Sequence, residues 1–171
     1  HVQKKPLIAP RLTQTLSALQ NGDLTVVSLA LVSDTDVTGY SVTVILPKFA
    51  KYVPGSSKLN GKPIADPDSV DSALIFRSMA HTAKWQDEYT FDVEHIAPSV
   101  TIKSMVRFTP LGRAAQNLPV AQITLVNHAP ASNTTTADVL VEAADLRPAK
   151  TPNDDDDAQL LEVLPYNAAW L

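Results

Sequence analysis

Four histidines, His1, His81, His95 and His128, are the side chains of this 171-residue chain that could bind a metal or move a proton near neutral pH. None sits in an HExxH pattern, and a tetrahedral or octahedral site needs several ligands that converge. They read as ordinary surface or strand-end histidines. The chain has no cysteine, which removes disulfides, thiolate metal sites and thiol nucleophiles together. A nucleophilic serine would sit on an elbow such as GxSxG, whereas Ser56 and Ser57 lie in PGSSK, a turn before a short strand. The sequence therefore assigns no catalytic residue, no metal ligand and no cofactor, and it predicts a protein that is not an enzyme.

Two further patterns carry chemistry of another kind. Asp154 to Asp157 form a block of like charge next to Pro152 and Asn153. A calcium loop alternates its ligands and bends at a glycine, so the block reads as a solvated linker, with weak calcium binding as the alternative. The sequon Asn133-Thr134-Thr135 is a possible N-glycan acceptor in a predicted surface loop, or simply a polar turn. An internal Lys–Asn isopeptide would need a buried acid beside the pair, and nothing in the sequence singles one out.

The elements that must position these residues are strands. Leu24 to Val32, LTVVSLALV, is apolar and β-branched almost throughout, as in a strand inside a sandwich, and GYSVTVILP follows after the polar SDTDVTG. The two are expected to be neighbours. In WQDEYTFDVEH the residues Trp85, Tyr89, Phe91, Val93 and His95 share one parity, with Asp87 as the exception. That predicts a half-buried strand with an aromatic inner face. TIKSMVRFT alternates Ile102, Ser104, Val106 and Phe108 against polar positions, so a hairpin with the preceding strand is the simplest expectation. AQITLVNHA and TTTADVLVEA supply two more strands, LIAP and LTQTLSAL weaker candidates, and DDDDAQLLEVL at most a turn or two of helix.

Thirteen prolines fall mostly between the apolar runs, where a residue without an N–H ends or borders a strand. Of only five glycines, two lie six apart in KYVPGSSKLNG. Pro54-Gly55 predicts a turn with Gly55 at positive φ. Asn60-Gly61 predicts a two-residue hairpin turn joining Ser57–Leu59 to the KPI that follows. Eight to ten short strands with such turns predict an all-β antiparallel sandwich.

The ordered series Gly22-Asp23, Leu46-Pro47, Tyr52 to Ser56, Asn60-Gly61 and Asp87 to Val93 resembles the conserved repeat domain of prokaryotic surface proteins known as domain of unknown function number eleven, over about residues 20–142. SDTD replaces that family's Asn-x-Gly, the acidic residue before Leu-Pro is apolar here, and Lys84 or Trp85 stands at its usual glycine. The resemblance implies an immunoglobulin-like sandwich, extracellular and non-enzymatic, often strung in tandem on large surface proteins.

Composition fits a globular module. A net charge of −4 with scattered Lys and Arg disfavours nucleic acid and anionic membranes as partners, and no apolar run of about 18 residues suggests an integral membrane protein. His1 in place of methionine points to a processed chain or a piece of a longer one. The expected organisation is an N-terminal extension or donor strand over 1–19, a sandwich over 20–146 and an acidic, proline-containing tail over 147–171. Both ends carry apolar residues, among them Leu7, Leu12, Leu16 and Trp170. The expected function is that of a structural subunit or filament module, a homo-oligomer or polymer, or a partner of neighbouring domains, in which these ends and open sheet edges make the contacts. The alternative is a ligand-binding module, an adhesin or carbohydrate-recognition domain, using loops near Asp66–Asp71 and Asn133.

Overall fold

The structure is a computed structural model that describes residues 10–140. Leu7, Trp170, His1 and the run Asp154–Asp157 lie outside the described residues. The described residues form thirteen strands, the longer ones built on alternating apolar residues: β1 (Arg11–Asn21), β2 (Leu24–Ser33), β3 (Val37–Ile45), β4 (Lys51–Tyr52), β5 (Lys58–Leu59), β6 (Lys62–Pro63), β7 (Asp68–Val70), β8 (Ala73–Ser78), β9 (Trp85–Glu94), β10 (Val100–Pro110), β11 (Gln116–Asn117), β12 (Ala121–Leu125) and β13 (Ala131–Asp138). No helix among the described residues is long and apolar enough to cross a membrane.

The strands form two antiparallel sheets. In the first the order is β13-β1-β2-β9-β5-β6, with β4 also on β9; in the second it is β11-β10-β3-β8-β7, with β12 also on β10. Inward side chains of both meet in one core, where Phe76 of the second sheet packs on Tyr89 and Phe91 of the first at centroid distances of 4.9 and 5.5 Å. Trp85, Tyr89, Phe91 and Val93 are buried on the inner face of β9, and Ile102, Ser104, Val106 and Phe108 on that of β10, as their parity predicts.

Three expectations change. β2 and β3 are not neighbours, because the chain crosses from one sheet to the other between Asp34 and Asp36. The crossing is fixed by the Ser33 hydroxyl, which donates to Arg11 C=O and accepts from Thr35 N–H. β9 and β10 are likewise in opposite sheets: His95 takes φ 62° and the Ile96–Ser99 link is too long for a tight hairpin. His95 itself is exposed and ends the strand rather than continuing its inner face.

The third change concerns the N-terminal segment, expected as an extension or donor strand for a neighbour. β1 lies in the middle of its own sheet, paired with β2 on one side and β13 on the other. Leu12 and Leu16 are 1% and 0% exposed in the chain's own core, so they are not available to fill pockets elsewhere. The sandwich thus begins near Pro10, not at residue 20.

The turns in KYVPGSSKLNG form as their residue types dictate. Ser56 N–H bonds Val53 C=O around Pro54-Gly55, with Gly55 at φ 78°. Asn60 and Gly61 take φ 51° and 82° in the two-residue turn joining β5 to β6, a type I′ geometry.

Candidate functional site

The sequence pattern left one residue on the inner face of β9 unexplained, and the structure shows what it does. Asp87 is 3% exposed, a buried carboxylate between the sheets. Its Oδ2 accepts from the Tyr40 hydroxyl of β3 at 2.6 Å and from His81 Nε2 at 2.5 Å, and its Oδ1 from Asn60 Nδ2 at 3.3 Å. Tyr40 and Tyr89 hydroxyls are 2.8 Å apart. The His81 ring stacks on Trp85 at 4.5 Å, and Trp85 Nε1 donates to Thr35 C=O. Backbone bonds in both directions between Val37 and His81 hold that ring in place. Burial pushes the phenol of Tyr40 far above its ordinary value, with the Asp87 and Tyr89 contacts adding to it; burial also raises Tyr89.

This arrangement brings His and Asp together with hydroxyls, with both Asp87 oxygens and the Tyr40 and Tyr89 hydroxyls bonded within the cluster. Tyr40, His81, Asp87 and Tyr89 line neither the open depression beside Ser17 and Ser28 nor that beside Thr13 and Val32. It is a lock that ties both sheets, the β8–β9 loop and the β5–β6 turn to one carboxylate. A second tie, Gln14 to Ser104, is 0% exposed at both ends. Ser104 donates to Gln14 Oε1 at 2.5 Å, and Gln14 Nε2 reaches Pro119 C=O and Thr135 Oγ1.

The remaining histidines behave as strand-end residues: His95 lies 3.7 Å from Glu94, and the His128 ring is 3.0 Å from Ile96 C=O. No group of three or more His, Cys, Asp or Glu able to hold a metal occurs among the described residues. Asp66 is exposed and structural: one oxygen accepts from Gly55 N–H and Tyr52 O–H, both at 2.7 Å, and these donors hold its carboxyl below the usual range. Asp68 pairs with Arg77. Asn133 lies within β13 rather than in a loop, and its Nδ2 donates to Gln122 C=O at 3.0 Å.

What the strands leave to solvent is the outer face of the first sheet. Register places Thr136, Thr13 and Val32 in one row across β13, β1 and β2, Thr134, Thr15 and Ala30 in the next, and Ser132, Ser17 and Ser28 in the third. No side chain in these rows is longer than valine. Hydroxyl pairs Thr13–Thr136 and Thr15–Thr134, at 3.0 and 2.9 Å, link β13 to β1 along these rows. At their end an open depression of about 550 Å³ is lined by Ser17, Leu19, Val26, Ser28, Pro130 and Ser132. Glu88, Asp92 and Glu94 of β9 border the face with negative charge.

No protein-family model matches the chain, and no curated protein matches it. Among solved structures it is similar to the collagen-binding domain of the Erysipelothrix rhusiopathiae surface protein RspB. The TM-score is 0.50 at 12% identity, over 75% of this chain and 49% of that one, about half its length. The collagen-binding subdomain of the Enterococcus faecalis surface protein ACE aligns with TM-score 0.48 at 9% identity, over 72% of this chain and 100% of that one. The chain has an immunoglobulin-like β-sandwich fold.

Proposed function

We propose that this chain is a non-enzymatic, extracellular ligand-binding module of a prokaryotic surface protein, of the same general kind as the surface-protein repeat domain it resembles in sequence. Its ligand is an extended protein rod of collagen type. The observation that carries this reading is the short-chained, hydroxyl-bearing outer face of β13, β1 and β2. A triple helix is a stiff rod with close-set main-chain carbonyls and proline rings. Such a rod is received by a surface that offers hydroxyl donors and small apolar contacts and has no long side chains to displace. The fold shared with the RspB collagen-binding domain supports the same class of ligand.

A carbohydrate platform is the weaker form of ligand binding, because sugars are held by exposed aromatic rings. Trp85, Tyr89 and Phe91 are core, and Phe49 is the one aromatic in the exposed class among the described residues.

The test is binding of the full chain to an immobilised triple-helical Gly-Pro-Hyp peptide, native and heat-denatured. Thr15→Arg and Ser28→Arg point away from the core, so they should abolish binding to the native peptide and leave the melting temperature unchanged. Thr101→Arg, on the outer face of the other sheet, should bind like wild type. If the two face variants bind as well as the parent, or the parent does not prefer the native helix, the reading fails.

A further inference from the structure

β13 is an edge strand, and the phase of its hydrogen bonds can be read directly. Val139 N–H bonds Pro10 C=O at 2.7 Å, one step beyond the register pair Arg11–Asp138. Because alternate residues of an antiparallel strand face alternate neighbours, 131, 133, 135 and 137 bond β1. The main-chain N–H and C=O groups of Ser132, Thr134 and Thr136 face away from the sheet, with no backbone partner among the described residues.

Edges of this kind are normally blunted by proline, lysine, a bulge or shortness. The other edges are. β6 and β11 are two residues long, and β6 ends on Pro63; β7 has three residues, with Asp68 paired to Arg77; β12 has five and lies between Pro119 and Pro130. β13 has eight residues, ASNTTTAD, no proline or lysine, and an unbroken register on β1. Ser132, Asn133, Thr134 and Thr136 are exposed.

We propose that β13 pairs antiparallel with β13 of a second copy of this chain, forming a two-fold dimer whose first sheets run together as one. The sequence is self-complementary in this register. With the axis at Thr134, Thr134 faces its own counterpart, Ser132 faces Thr136 and Asn133 faces Thr135. Every pair is short and uncharged, threonine is a strong strand former, and no like charges are opposed. Ser132, Thr134 and Thr136 are then the hydrogen-bonding positions on both copies, which satisfies the main-chain groups left open in the monomer. The interface is isologous and closes on itself, so it stops at two copies. The dimer stands independently of the ligand reading; if both hold, the hydroxyl face becomes continuous across the pair.

Sedimentation of the full chain should show a concentration-dependent rise in mass from 18.4 kDa towards twice that value. Amide exchange of Ser132, Thr134 and Thr136 should slow as concentration rises, while Asn133 and Thr135 stay protected throughout. Thr134→Pro removes an outward N–H and leaves the bonds to β1; Asn133→Lys keeps the main chain intact and places two cations near the axis. Both should remain monomeric at every concentration with the parent's circular dichroism. A parent that stays monomeric at millimolar concentration overturns the proposal. So do an Asn133→Lys variant that dimerises like the parent and protection of the three outward amides that is independent of concentration.

Discussion

The hydroxyl of Tyr40 and the carboxylate of Asp87, 47 positions apart, meet at 2.6 Å between the two sheets. Asp87 tolerates burial because three donors from three parts of the chain converge on it, and its loss takes away an acceptor from the buried Tyr40 hydroxyl and from His81. Asp87→Ala should therefore destabilise the fold by about 1–3 kcal/mol, the range for leaving a buried donor without its partner. Urea denaturation measures it; a loss below about 1 kcal/mol would show that the network contributes little.

The same network sets an alkaline limit. Burial raises the phenols of Tyr40 and Tyr89, and burial with the Asp66 contact raises Tyr52. A group with a raised folded-state pKa stabilises fully below its unfolded value and loses that contribution as pH climbs through the folded one. Stability should hold up to about pH 10, the ordinary tyrosine value, and fall above it. Phenolate absorbance near 295 nm should show these tyrosines ionising together with loss of near-ultraviolet circular dichroism. Independent ionisation of all of them near their ordinary value, with the fold intact, would contradict the buried hydroxyl pair.

Parity alone showed which residues of β9 and β10 face inward, because period-two patterning follows directly from the pleat. It could not show whether the next strand pairs with the last or crosses to the other sheet, since both arrangements bury the same alternating residues. β2 to β3 and β9 to β10 were open to misreading for that reason. The local signals that mattered were small: Ser33 and Thr35 at one corner, His95 in a left-handed conformation at the other. The lock was half visible. Asp87 stood out as a polar break in an apolar series, but His81, Asn60 and Tyr40 lie on other elements, and only the folded chain brings them together. The hydroxyl-bearing face was hidden because threonine and serine on β1 and β13 read as ordinary solvent-facing strand residues. β1 itself read as an extension because its apolar periodicity is diluted by Gln14, a glutamine that proves to be buried and bonded to Ser104.

Asp66 gives an acid-side prediction with the opposite sign. Donation by Gly55 N–H and Tyr52 O–H lowers its pKa, so its contribution is complete above the ordinary aspartate value and is lost as pH falls through the lowered one. The amide of Gly55 should shift and begin to exchange faster over that acid range, before global unfolding. In Asp66→Asn the same resonance should show no such titration. If Gly55 responds to acid equally in both proteins, another group controls the turn.

The turn between β3 and β4 holds Phe49 at φ 70°, with Ala50 N–H bonded to Pro47 C=O at 3.1 Å. That is the position of a tight turn normally given to glycine, and a left-handed conformation costs an L-residue roughly 1–2 kcal/mol. The ring contributes little to the core in return: Phe49 is 79% exposed, and Lys48 Nζ lies over the ring at 5.2 Å. An exposed cation–π contact contributes about 0.5–1 kcal/mol, and glycine adds about 0.5–1 kcal/mol of entropy cost in the unfolded chain. Relief of the strained φ is about the size of both losses together, so Phe49→Gly should change stability by no more than about 1 kcal/mol in either direction. Thermal unfolding of the two proteins decides it. A clear drop in melting temperature would mean that the Phe49 ring packs on something that stabilises the folded chain.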